Sequence, residues 1–293
     1  MALTLTEAAK LSNDIVLAGV IETIVKESPV LQRLPFIELV GNALTYNREN
    51  AAAGATWYAV GDTWTEGTPT FTQVTATLKI LGGDADVDQY LATTRNNVQD
   101  LEAAVVELKA KAVRMEFEDV FLNGDGTANK FTGIKGAIVG GQTISMGANG
   151  AALTLAKLDE LIDLVKPGRP DLLVMSKRSR RALTGLVRAS GAFMETRQNE
   201  FGAFQEFYAG IPLGVSDYIS DAETQGTATN ASRVYAVQLG EGAVAGLQGP
   251  GGLQVERVGN LETKDAIRWR IKWYVGIAVF SDLSLAQLTG VIP

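Results

Sequence analysis

The chain contains neither cysteine nor histidine. Without cysteine there is no disulfide, no thiolate nucleophile and no zinc–thiolate centre. Without histidine the commonest general base, the Ser-His-Asp triad and most transition-metal sites are lost as well. Carboxylate or lysine chemistry remains open, as does binding without chemistry. A run of eighteen apolar residues is also missing, so no membrane-spanning helix is expected. The N-terminus lacks the basic start and apolar core of a signal peptide, which leads to the expectation of a cytosolic origin. Nor is there an excess of basic charge. Lys and Arg number 26 against 33 Asp and Glu, a net charge of −7 that disfavours a dedicated nucleic-acid binder while leaving room for a local basic face.

What is present is ordinary globular material. Hydrophobic residues at 46% and charged residues at 20% argue against extensive disorder, and 293 residues suffice for one large domain or two ordinary ones. The longest periodic stretch runs from about Thr94 to Leu122. Val98, Leu101, Val105, Leu108, Ala112 and Met115 recur there at spacings of three and four, which predicts one apolar face of a helix about 40 Å long, a strut across the protein. Glu102, Glu107, Lys109, Lys111, Arg114 and Glu118 occupy its other faces and read as solvated ion pairs. Asn123-Gly124-Asp125-Gly126 ends it, the glycines being free to take positive φ.

Ahead of that helix, residues 1 to 28 carry Leu3, Leu5, Leu11, Ile15, Val16, Val20, Ile21, Ile24 and Val25 between polar positions. They fit either a packed N-terminal helix or an arm docked on a neighbouring subunit. From Ala43 to Leu91 the chemistry is that of extended chain. Leu44 to Arg48, Thr56 to Val60 and the alternating run Phe71 to Ile80 flank Gly61 to Pro69, which is poor in core-forming residues, and together they predict a long exposed β-hairpin. A two-stranded ribbon is marginal in water, so the hairpin should lie on its own domain or on a partner, and Trp57, Trp64 and Phe71, costly to leave in solvent, lean the choice toward a partner.

Asp84, Asp86 and Asp88 invite comparison with a calcium loop, but that pattern needs Gly and Glu where the chain has Gln89 and Arg95. Alternation instead lines the three carboxylates along one edge of a strand, for a structural role or an intersubunit salt bridge; a cation bridge between subunits is the lesser alternative. The glycines at 124, 126, 133, 136, 140 and 141 spell neither GxGxxG nor GxxxxGK[ST]. No catalytic, cofactor or metal residue is assigned.

Further along, short β-runs are expected over Phe131 to Ile138. A helix is expected over Lys157 to Lys166, with Leu158, Leu161, Ile162 and Val165 inward, then a buried strand over Asp171 to Met175. Ser176 should cap a helix from Lys177 to about Arg188. Its opening cluster, Lys177, Arg178, Arg180 and Arg181, opposes the helix dipole and so calls for acidic partners. Gly210 to Val215 and Val234 to Leu239 read as strands, Asp221 to Ser232 as a polar surface loop, and Gly249-Pro250-Gly251-Gly252 as a turn before a strand over Leu253 to Val258. In the closing strand, Ala266 to Val275, Ile267, Trp269, Ile271 and Trp273 alternate with Arg268, Arg270 and Lys272. One face is core and the other a cationic rail.

This order of parts resembles the major capsid proteins of tailed bacteriophages with the Hong Kong 97 fold. The resemblance is carried by Asn123 to Gly126 with Gly133-Ile134-Lys135-Gly136, by Leu172 to Lys177, by Gly210 to Leu213, and by Arg270 to Phe280. It implies an α+β, Hong Kong 97-like capsid fold. Its parts would be an N-terminal arm (1–42), an extended β-hairpin E-loop (43–82), a peripheral domain with a long spine helix (83–153 and 265–293) and an αβ axial domain (154–264). It also implies a structural protein rather than an enzyme, with no cofactor, assembling as pentamers and hexamers into an icosahedral virion capsid around double-stranded DNA without sequence-specific contact. Assembly in the host bacterial cytoplasm with a separate scaffolding protein, a portal protein and room for a decoration protein completes the expectation; Met1 and the short arm point to the separate scaffold. Lys79 is the only lysine of the hairpin and lies near its base, so no lysine–asparagine crosslink is expected. An encapsulin-type bacterial nanocompartment shell shares the fold and is the nearest rival. A carboxylate-dependent hydrolase is the distant one, requiring a close pair among Asp84, Asp86, Asp88, Glu116 and Glu118 in a cleft.

Overall fold

The computed structural model describes residues 28–51, 53–89, 101–198 and 204–293. The helix-or-arm reading of residues 1–27 and the placement of Val98 lie outside them. In chain order the described elements are β1 (Phe36–Glu38), β2 (Ala43–Ala51), β3 (Thr70–Thr77), β4 (Lys79–Asp88), α1 (Leu101–Asn123), α2 (Ile134–Ala137), β5 (Thr143–Ser145), β6 (Ala151–Ala152), α3 (Leu155–Leu164), β7 (Leu172–Met175), α4 (Lys177–Ala189), β8 (Glu195–Gln198), β9 (Phe204–Tyr208), β10 (Ile211–Val215), β11 (Glu223–Gln225), β12 (Ala228–Val237), β13 (Val244–Asn260), β14 (Ala266–Val279) and β15 (Leu285–Ile292). They form a four-stranded sheet in the order β1-β13-β14-β4 and a nine-stranded sheet along β5-β15-β12-β7-β10-β9-β8, with β11 and β6 on its margins. The β2–β3 hairpin stands apart as a third sheet.

Alternation along β14 decides the inside of the smaller sheet. Ile267, Trp269, Ile271, Trp273 and Val275 are buried, as their spacing predicts. Helix α1 lies across them, bringing the Phe117 ring to 5.0 Å from that of Trp273, with Phe36 of β1 5.4 Å from Trp273 on another side. At 23 residues the described helix is about 34 Å long. Its packed face is Val106, Ala110, Val113, Phe117, Val120 and Phe121. This corrects the expected face: Leu108 is 68% and Met115 43% exposed. Apolar residues lie on opposite sides of α1, and spacing alone does not rank two stripes. The bulkier aromatic stripe fills the space over Trp269 and Trp273 and therefore wins the core.

In the larger sheet β7 is buried on both faces, which is why it reads as an unbroken apolar run. Leu172 and Val174 join Tyr235, Val237 and Leu285 in the core shared with α1, so one hydrophobic interior connects the two sheets. Leu173 and Met175 point the other way, into a second core with Leu158, Leu161 and Ile162 of α3 and Leu183 and Val187 of α4.

Three local expectations are corrected. Phe131 to Ile138 contains the helical turn α2, not β-runs. Asp221 to Ser232 is the β11–β12 hairpin. Strand β13 continues through Gly249 to Gly252 as an irregularity, its register to β14 shifting between Gln248 and Leu253 while Gly251 and Gly252 absorb the extra residues at φ +82° and +56°. Strand β13 belongs with the four-stranded sheet, and β5, β6 and β15 with the nine-stranded one.

Candidate assembly surfaces

The hairpin is two regions with different chemistry. Near its base, Leu44 and Tyr46 of β2 and Ala76 of β3 point inward, packing on a small cluster around Leu39, Leu247 and Ala278. Toward its tip the apolar side chains are left uncovered by the body among the described residues: Trp57 is fully exposed, Trp64 80% exposed, and Val60 and Phe71 are open to solvent. The tip nevertheless holds a shape of its own. The Tyr58 ring stacks on Trp64 at 4.5 Å, the Tyr58 hydroxyl lies 2.8 Å from Thr65 Oγ1, and Asp62 Oδ2 accepts the Ala59 N–H at 2.6 Å. A shaped, exposed apolar tip on a ribbon outside both larger sheets is the physical signature of a contact surface.

The charged residues behave in the opposite way. β4 and β14 pair antiparallel with Asp84 opposite Arg270 and Asp86 opposite Arg268. Arg270 donates Nε and Nη2 to the two Asp84 oxygens at 2.7 and 2.9 Å, and Arg268 does the same to Asp86 at 2.6 and 2.9 Å. Lys264 adds a 2.7 Å contact to Asp86, and Lys272 reaches Glu256 of β13 at 2.7 Å. The arginine hydrogen bonds hold both aspartate carboxyls below the usual range. The rail and the carboxylate edge thus neutralise each other within one chain. Of the two roles expected of these carboxylates, structural or intersubunit, the pairing of Asp84 and Asp86 is the structural one; Asp88 lies opposite Ala266 at the strand end. No group of residues suited to a metal ion occurs among the described residues.

The basic start of α4 finds the acidic partners its position calls for. Lys177 pairs with Asp217 at 2.7 Å, Arg178 with Asp221 at 3.4 Å and Arg180 with Glu206 at 3.3 Å, while Ser176 Oγ caps the helix by accepting the Ser179 N–H. On α1, Glu116 is a surface partner of Lys130 at 2.8 Å. Glu118, expected in a solvated pair, is instead only 4% exposed and accepts the Ser28 hydroxyl at 3.4 Å. Burial pushes its carboxyl up, against the opposing pull of Ser216, Arg114 and Ser28. Glu116 and Glu118 are two positions apart on a helix, on different faces, and Asp84 and Asp86 are engaged by arginine, so the carboxylate pairs considered for hydrolysis are not formed.

One residue escaped the sequence reading. Arg48 sits on β2 in the inward register with Leu44 and Tyr46, where an apolar residue is the rule, and its guanidinium reaches the end of β14. The break in alternation was the available signal.

The sequence matches the model of the phage capsid family over residues 11–289. No curated protein matches it. Among solved structures the chain is similar to the holo-SrpI encapsulin complex of Synechococcus elongatus, with a TM-score of 0.72 and 19% identity over 90% of this chain and 87% of that one. It is also similar to the capsid of an empty GTA particle, with a TM-score of 0.67 and 18% identity over 90% of each chain. A third likeness is to Microbacterium phage Oxtober96, with a TM-score of 0.64 and 19% identity over 91% of each. At such identities the structural likeness speaks for the fold.

Proposed function

The chain belongs to the phage capsid family and has a Hong Kong 97-like fold, and from that premise we propose that it is a major capsid protein that self-assembles, as pentamers and hexamers, into an icosahedral shell around double-stranded DNA. The observation that carries this reading is the hairpin: a shaped aromatic tip left uncovered among the described residues, on a body whose charge clusters are largely paired internally. Such a molecule is complete in its core and incomplete at one surface, which a second copy would complete. In this reading β2, β3 and the loop between them form the E-loop. The four-stranded sheet with α1 forms the peripheral domain, and the nine-stranded sheet with α3 and α4 forms the axial domain. A separate scaffolding protein, a portal protein and assembly in the bacterial cytoplasm belong to the same proposal, and no enzymatic step is part of it.

The test is negative-stain microscopy of the purified chain, expressed alone and with a small acidic helical protein encoded beside it. Closed shells of tens of nanometres, or rings of five and six, support the reading; a uniformly monomeric protein under both conditions overturns it. The likeness to an encapsulin favours one alternative, a nanocompartment shell. Contents distinguish the two: nuclease-protected double-stranded DNA supports the capsid, and a co-purifying protein cargo in small shells supports the compartment.

A further inference from the structure

Among the described residues the hairpin's two strands pair with each other and with no other strand, so no sheet hydrogen bonding described there sets the hairpin's angle to the body. The chain leaves β3 at Thr77 and enters β4 at Lys79, leaving Leu78 as the joint. Strand β14 outruns β4, whose register ends at Lys79 opposite Val275, and the last residue of β14 is Val279. The base of the hairpin closes on that residue. Tyr46 donates its hydroxyl to the Val279 carbonyl at 2.8 Å, and Arg48 donates Nε to the same oxygen at 3.0 Å and Nη2 at 2.5 Å. Arg48 Nη1 is ion-paired with Asp282, just past the strand end. The Tyr46 ring packs at 4.7 Å on Phe280, and the guanidinium lies 5.9 Å from the Tyr46 ring centroid.

These contacts divide the labour. Leu44, Ala76 and the Tyr46 ring supply non-directional apolar packing, which permits a range of hairpin angles, and the Tyr46 hydroxyl adds a single hydrogen bond that can pivot about the Val279 carbonyl. The planar guanidinium, bonded at once to a carbonyl and a carboxylate, permits few. We propose that Arg48 is the positioning residue of the hairpin: by gripping the Val279 carbonyl and the Asp282 carboxylate it sets the angle at which the aromatic tip meets a second copy of this chain. The partner in this statement rests on the capsid reading; the clamp itself does not. Holding the tip in its docking pose before contact lowers the ordering cost that association must otherwise meet.

The chain's lack of cysteine makes the test direct. Thr68→Cys, on the exposed loop of the hairpin, places the chain's single thiol for a dye whose anisotropy decay reports hairpin motion in the unassembled protein. In that background Arg48→Ala, which removes two hydrogen bonds and an ion pair, should increase the mobile fraction about twofold and raise the concentration needed for assembly about tenfold, a net loss the size of one charge-assisted hydrogen bond. The melting temperature of the body should not change. Arg48→Lys, which keeps the charge without the fork, should recover part of both effects. Asp282→Asn should give a weaker version, and it keeps the test alive if Arg48→Ala does not fold. Unchanged anisotropy in both variants overturns the clamp, and a loosened hairpin with an unchanged assembly threshold overturns its positioning role. Should the unaltered chain fail to assemble at all, the capsid reading falls, while the anisotropy still decides whether Arg48 holds the hairpin.

Discussion

The chain has four tryptophans, and they divide evenly between two regions with opposite fates. Trp269 and Trp273 alternate along β14 and are buried under α1; Trp57 and Trp64 flank the hairpin tip and stand in solvent. The same side chain, carrying the same large apolar surface, is buried by the body in one place and, among the described residues, left open in the other apart from the stacking of Tyr58 on Trp64. The body buries its aromatics, whereas the hairpin presents its own, the arrangement the proposed assembly would use. Charge follows the same division. Asp84, Asp86, Arg268 and Arg270 pair off across β4 and β14 on the body, whereas the hairpin's ion pair to the body is made by Arg48 with Asp282.

Exchanging losses between the two pairs of tryptophans tests the comparison most severely. Trp273→Ala should cost about 3–5 kcal/mol of stability, measured by denaturant unfolding, because it opens a cavity against Phe36 and Phe117. Trp57→Ser with Trp64→Ser should leave unfolding within about 0.5 kcal/mol and abolish shell formation by light scattering. If the hairpin pair destabilised the monomer as much as Trp273→Ala, the tip would be part of the core and the division would be wrong.

A smaller effect separates the paired charges from ornament. The folded carboxyls of Asp84 and Asp86 lie below the ordinary range because arginine binds their ionised forms. Their contribution is therefore full above about pH 4 and is lost as pH falls through the folded values. Asp84→Asn with Asp86→Asn should lower the melting temperature at pH 7 and flatten its fall below pH 4. A double variant that tracks the unaltered protein at every pH would reduce the ladder to surface decoration.

Glu118 supplies the smallest effect, of opposite sign. Burial raises its carboxyl, so the fold binds that proton more tightly than the unfolded chain, and stability declines as pH rises through the raised value. Glu118→Gln escapes the decline. It should melt about 2 °C higher at pH 7 and lose the advantage near pH 4. Loss of stability at pH 7 would mean that the hydrogen bond from Ser28 and the nearby Arg114 outweigh desolvation.

Much of the scaffold could be read from period and punctuation. Alternation in β14, the buried run of β7, the inward face of α3 and the capped, basic start of α4 all emerge where residue order places them. The aromatic hairpin tip was legible too, because turn residues separate two extended runs. The face of α1 was not, since apolar residues lie on both of its sides and the choice depends on what is laid against them. Asp84 and Asp86 could be placed on one edge of a strand but not assigned to Arg270 and Arg268, which are 186 and 182 residues away. Arg48 left only a broken alternation, its meaning invisible until the end of β14 was found beside it.

By itself the sequence determined that this is a chain without thiol or imidazole chemistry, with a strut helix, a self-alternating closing strand and a hairpin too apolar at its tip to stand alone. These are local properties, set by side-chain chemistry and a period of two or three to four residues. Which stripe of α1 is core, which charges cancel and which carbonyl the hairpin grips were decided only by the tertiary structure. Each depends on a contact between segments far apart in sequence, where the energy belongs to the pair and neither partner carries it alone.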